Sequence, residues 1–249
     1  MPPLKEVSTS RTPEEFLRLA LEADSPKERA RFASEGLETD VEVDRDTHFL
    51  LLRQIYLAHV ESHRFQTAAE IAEQMASVGG PLLDVAHHDA SRAHAALGDM
   101  TAAIERQRLA ARAAPPDRRS FQCWALATLL HFADDLDGAV SALTRGDRWA
   151  RDDRPLLRAH RAWIELELDE VPEDLDDVIA ALEASQTARK GYGQLVLGMI
   201  RFRLGDHRAA AVHLRAFLRR NANIDAAKAV TLREELRRAR TVLAQIESD

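Results

Sequence analysis

Ten histidines are spread through this 249-residue chain, and they are the first side chains to ask about chemistry. His59 and His63 stand four apart, so one helix face would carry both imidazoles, a spacing that can offer two ligands to zinc. His87, His88 and His94 share a second stretch. Neither group carries the His-Glu-x-x-His pattern, and spacing supplies no third ligand, so packing and surface roles outweigh metal binding. Asp135-Leu136-Asp137-Gly138 matches the middle of a calcium loop, but Ala133 and Thr144 occupy its first and last ligand positions, and the loop fails. A run of carboxylates from Glu165 to Asp177 has the residue types for a general acid and base; a solvated helix face and turn explains it more simply. Gly191-Tyr192-Gly193 is too short for a phosphate loop, and no serine sits between glycines in a nucleophile elbow. Cys123 is the sole cysteine, which excludes an internal disulfide and a Cys-built zinc site and suits a small buried residue. No catalytic residue, metal site or cofactor is assigned.

With 45% apolar and 30% charged residues the chain can build a packed core. The net charge of −7 argues against a general nucleic-acid binder. No apolar run reaches the ~20 residues that cross a bilayer, and the N-terminus lacks the apolar stretch of a secretory signal, so membrane insertion is not expected and a cytoplasmic location is. Charge is nevertheless uneven. Residues 201–240 hold eleven Lys and Arg against four Asp and Glu. Such a basic region can orient an acidic partner or a second copy of the chain, or simply solubilise the end of the fold.

The elements that would position these residues are helical. Thr12-Pro13-Glu14-Glu15 has a capping residue, a first-turn proline and a glutamate that completes a capping box; Ser25-Pro26-Lys27-Glu28 repeats the signal. These predict helices over 13–23 and 26–37, behind a loose arm at 1–11. Further on, a turn followed by small residues recurs at His63, Gly98, Asp134 and Gly205, at intervals of 35, 36 and 71. The last interval is a double one, so a degenerate repeat is expected between.

In this pattern the chain resembles the tetratricopeptide repeat family, whose unit is a helix–turn–helix of ~34 residues with small side chains at positions 8, 20 and 27. Ser91, Ala103, Ala110 and Pro115 fit one unit, Leu126, Ala127, Ala139 and Gly146 another, and Leu197, Gly198 and Ala210 a third. Tyr56 and Trp163 stand where a small residue is usual, and the turn after Glu170 carries a three-residue insertion, so the unit with Trp163 is expected to splay. The resemblance implies an all-α fold, a right-handed solenoid of about six helix pairs at 12–40, 49–82, 84–118, 120–153, 156–188 and 191–224. An amphipathic capping helix at 225–246 would close the single domain 12–249, with Leu232, Leu236, Ala239 and Val242 inward and Arg233, Arg237, Arg238 and Arg240 outward.

In that family the first helices line a concave groove, which implies a non-enzymatic adaptor or scaffold that binds a protein or peptide. The groove positions here include Arg53, His88 and Arg92, then Phe121, Trp124, His131 and Phe132, then Tyr192, Met199 and Phe202. No lysine or asparagine clamp for a C-terminal carboxylate is present among them. The groove turns aromatic toward its C-terminal half, either as a binding surface or because neighbouring helices, or the chain's own last helix, cover it. The other readings are a peptide-sensing module that controls a separate effector and, more remotely, a helical-repeat hydrolase. Elemental analysis of the purified protein is expected to find no stoichiometric zinc or iron; one equivalent per chain, lost when His59 and His63 are replaced together, would restore the enzyme class.

Overall fold

A computed structural model describes residues 11–186, 191–224 and 226–248, so residues 1–10 of the expected arm lie outside the described residues. Among the described residues there are fourteen helices and no strand. They run α1 (Pro13–Glu22), α2 (Pro26–Leu37), α3 (Arg45–Glu61), α4 (Phe65–Val78), α5 (Leu83–Leu97), α6 (Met100–Ala113) and α7 (Pro116–Phe132). Then follow α8 (Leu136–Asp147), α9 (Arg154–Glu167), α10 (Leu175–Ala184), α11 (Tyr192–Arg203), α12 (His207–Arg220), α13 (Ala226–Thr231) and α14 (Arg233–Ser248). Helices adjacent in sequence pack on one another from α1 to α10, and α11 packs against both α9 and α12, which is the all-helical repeat architecture expected from the spacing.

Local chemistry sets several of the boundaries. The Thr12–Glu15 capping box is complete, and the Ser25 hydroxyl accepts the Glu28 amide. Asp99, Asp135 and Asp206 each accept the backbone amide three residues on, at 3.0, 2.9 and 3.0 Å, and so start α6, α8 and α12. Between the paired helices the chain enters the left-handed region, at His63 (φ 56°), Gly98 (84°), Asp134 (65°), Asp169 (61°) and Gly205 (76°). Four of these are the recurring turn positions of the sequence. The fifth, Asp169, is the anchor of the degenerate repeat and restores a 35- to 36-residue period throughout. The insertion lies just after it, delaying α10 to Leu175. As expected for that unit, α10 packs more thinly on α9 and α11 than the other second helices do on their neighbours.

Close approach of the helices depends on small residues at the crossings. Ala68, Ala103, Ala139 and Ala210 are fully buried, and Ser91 also turns its hydroxyl to the Ala103 carbonyl at 2.8 Å. A methyl group on Gly198 would sit 2.6 Å from Leu214 Cδ2, and one on Gly146 would sit 2.9 Å from Leu157 Cδ2. The two large exceptions are each tied down by a polar tip. Tyr56 is buried and its hydroxyl donates to the Asp89 carbonyl at 2.9 Å; Trp163 is buried and its Nε1 donates to Glu167 Oε1 at 2.8 Å.

The C-terminus corrects one expectation. The single cap expected at 225–246 is two helices, broken at Leu232. Leu236, Ala239, Val242 and Leu243 of α14 do join the core of the last repeats, beside Val196, Leu214 and Phe217. But α13 packs against α3 and α5, so the segment returns along the first helices instead of only closing the stack. Gly198→Ala is expected to lower stability by about 1–3 kcal/mol in a denaturant melt, against the ~1 kcal/mol gain alanine brings to an open helix. A neutral or stabilising result would mean that α11 and α12 have room to separate.

Candidate protein-binding groove

The face formed by α3, α5, α7, α9 and α11 carries the residues singled out from the sequence. At its N-terminal end, Arg53 Nε donates to the buried Asp89 carboxylate at 3.0 Å, while Arg92 reaches the Thr231 hydroxyl of α13. His88 shares a 2.9 Å hydrogen bond with Gln107 and meets the Phe121 ring edge to face, with centroids 5.3 Å apart. Burial pushes the His88 pKa down, disfavouring the charged ring. Phe121 is 45% exposed and neighbours Trp124, whose ring meets Tyr192 edge to face at 4.7 Å. Phe202 lies partly buried, stacked on His207. Two of the groove residues face the core instead: Met199 is packed between the last repeats, and His131 is enclosed.

His131 belongs to a buried polar chain that residue types alone did not reveal. Its Nε2 lies 2.9 Å from Glu167 Oε2 and its Nδ1 lies 3.0 Å from His160 Nε2. Burial opposes the Glu167 charge, yet the His131 hydrogen bond and charge, with Arg203 and Trp163 beside it, hold that carboxyl down to about 2. Burial, then the His131 charge, drive His160 well below the ordinary histidine value. A second chain runs across α5, α6 and α7. Arg118 grips the fully buried Asp84 with Nε at 2.9 Å and a terminal nitrogen at 2.7 Å, Gln122 donates to the same carboxylate at 3.2 Å, and Gln107 donates to Gln122 at 2.8 Å. The 35-residue repeat placed these residues one above another, but nothing in Gln107 or Gln122 by itself signalled burial.

The aromatic half of the groove is covered by the chain's own last segment. Trp124, Phe132 and Tyr192 pack against the core that contains Leu236 and Ala239. Arg238, expected on the solvent face, lies with its guanidinium 4.6 Å above the Phe132 ring. Glu235 is 5% exposed and faces Tyr192, whose pKa burial and this carboxyl drive upward. Two buried polar atoms of the groove helices, Trp124 Nε1 and His160 Nδ1, have no hydrogen-bond partner among the described residues. The same is true of Arg92 Nε.

The residues weighed for chemistry stay apart. Cys123 is buried, and burial pushes its thiol up, away from nucleophilic character. Among the described residues no three His, Cys, Asp or Glu side chains gather as metal ligands. The acidic turn forms a depression of about 450 Å³ between Arg161, Glu165 and Pro172, where Arg161 pairs with Glu165 at 3.1 Å. No described helix is long and apolar enough to cross a membrane.

Burial raises the Glu235 carboxyl to about 7, opposed by its own backbone hydrogen bond. The folded chain therefore holds this proton more tightly than the unfolded one, and stability falls as pH rises from about 4.5 to 7, by ~3 kcal/mol at most. Glu235→Gln is expected to melt at the wild-type temperature near pH 4.5 and above it at pH 7.5. Parallel melting profiles for the two proteins would mean that Glu235 titrates as a solvated group.

The sequence matches no known family model and no curated protein. In structure the chain is similar to one in the crystal structure of the APC/C hetero-tetramer Cut9-Hcn1, with a TM-score of 0.54 at 13% identity. That likeness covers 92% of this chain but 54% of the other, so this chain spans about half its length. Repeat period, crossing residues and this likeness together make the fold a helical solenoid of the tetratricopeptide repeat type.

Proposed function

We propose that this chain is a non-enzymatic protein-interaction scaffold whose groove of first helices receives a helix or extended peptide from a protein partner. One observation carries the reading: an amphipathic helix already lies on that face, with Arg238 over the Phe132 ring and Glu235 beside Tyr192. A surface that holds one such helix by aromatic packing and a cation over a ring has the chemistry to hold another. Because an incoming ligand must share the groove with α13 and α14, a second reading has the same support: a peptide-sensing module in which movement of that segment signals to a separate effector.

Phe121 is the most exposed aromatic side chain of the groove and the one least involved in the fold. Phe121→Ala is expected to leave the melting temperature almost unchanged and to weaken capture of the native partner by roughly 30-fold or more, the ~2 kcal/mol of an aromatic hot spot. Arg145→Ala, on the exposed side of α8, should change neither. Quantitative co-precipitation from the native host, with melting followed on the same proteins, reads both. Equal capture by the wild type and Phe121→Ala would move binding to another surface, with the basic 201–240 region next.

A further inference from the structure

The two halves of the C-terminal segment are held differently. The second half of α14 is a true cap, with Ala239, Val242 and Leu243 in the core and Arg215 paired to Glu247 at 2.8 Å. The stretch from α13 into the start of α14 lies along the groove. Val230 and Thr231 rest over Tyr56, Val60, Arg92 and Ala96, and a gap of about 10 Å³ remains beneath them. Val230 is only half-buried, and Thr231 is exposed.

Electrostatics mark this contact as an imperfect one. Arg53 and Arg92 flank the groove wall above Tyr56, and the one carboxylate between them, Asp89, is taken by Arg53. No carboxylate among the described residues pairs with Arg92. What the segment offers it is the neutral hydroxyl of Thr231, and Arg92 Nε stays buried without a partner. An unmet buried donor is costly, more so when charged, and a hydrogen bond to a charged group is among the stronger ones in proteins.

We propose that residues 226–232 are a latch over a docking surface built by α3 and α5, and that the partner which displaces it is an amphipathic helix carrying a carboxylate for Arg92. The proposal rests on the scaffold reading and names the chemistry of its ligand. The ligand's apolar residues take the place of Val230 over Tyr56, Val60 and Ala96, and its carboxylate takes the place of the Thr231 hydroxyl. The cap half of α14 stays in place, so the stack keeps its closed end while the groove opens.

The test uses the full chain and two labelled synthetic peptides, residues 222–248 in native sequence and the same peptide with Thr231→Glu. The Thr231→Glu peptide is expected to bind the wild-type chain about tenfold more tightly than the native peptide, and Arg92→Ala in the chain should erase that difference. Placing Thr231→Glu in the chain itself should weaken binding of the acidic peptide by a similar factor and slow amide exchange over 226–232, with exchange over 239–248 unchanged. Equal binding of the two peptides, or a difference that survives Arg92→Ala, overturns the proposal. So does exchange over 226–232 that occurs only with global unfolding, or a dimer in which two chains trade these segments. A native partner lost with Phe121→Ala but held equally by the wild-type and Thr231→Glu chains overturns the latch while leaving the scaffold reading intact.

Discussion

The close approach of successive helices at small residues is the constraint on which everything else here depends. Gly198 lets α11 come so near Leu214 of α12 that one methyl group would not fit. Gly146 does the same for α8 against Leu157 and Cys123. Each such contact sets the angle between two helices, and repeating it every 35 or 36 residues turns a local angle into an array. The left-handed turns make the repetition possible, since each reverses the chain between paired helices, and three of the five are followed at once by an aspartate that caps the next helix. His63, Asp134 and Asp169 adopt that conformation without being glycine, so the packing of the flanking helices outweighs the ~1–2 kcal/mol that a side chain costs there.

Stacking alone would leave the first helices sharing an apolar seam with little to fix their register. The two buried polar chains supply it. Arg118 on α7 closes on Asp84 on α5, and His131 on α7 sits between His160 and Glu167 on α9. Both chains run from one repeat to the next rather than within a repeat. A slip of one helix along its neighbour would strand a charged carboxylate in the core, which is far more costly than a shifted leucine. Specific order along the groove is thus bought with polar groups, and the groove's shape follows from it.

The array was legible in the sequence because its signals are local. Capping boxes, aspartates after turns and small residues at fixed spacing act within a few residues of where they stand. Even the degenerate repeat could be placed, and Asp169 proves to be its turn. The course of the C-terminal segment was not legible in this way. The stripe of Leu236, Ala239 and Val242 says that one face of a helix is buried, but an inner face and a stack end ask for the same stripe. Arg238 shows the limit clearly: by helical position it belongs to the solvent side, and a ring on another repeat, Phe132, draws it in. His131 and Glu167 were legible only as a groove residue and part of an acidic run, because the pairing that buries them joins residues 36 positions apart.

A helix tethered to its own groove competes with any ligand at an effective concentration in the millimolar range or above, so weak contacts suffice to keep it seated. For the groove to remain useful, the tethered helix must be held by less than the surface can offer. The atoms without partners measure that shortfall. Arg92 Nε, beside the segment, and Trp124 Nε1, on the same groove face, are both buried and unmet. Each satisfied donor is worth on the order of 1–3 kcal/mol, a factor of about 5 to 150, to a ligand that reaches it. Meeting two of them would offset most of the advantage of the tether. A segment that satisfied every groove atom would make a more stable protein and a permanently closed one; the pattern of contacts here, apolar over Ala239, Val242 and Leu243 but incomplete at Arg92, divides the segment into a part that holds the fold and a part that can yield.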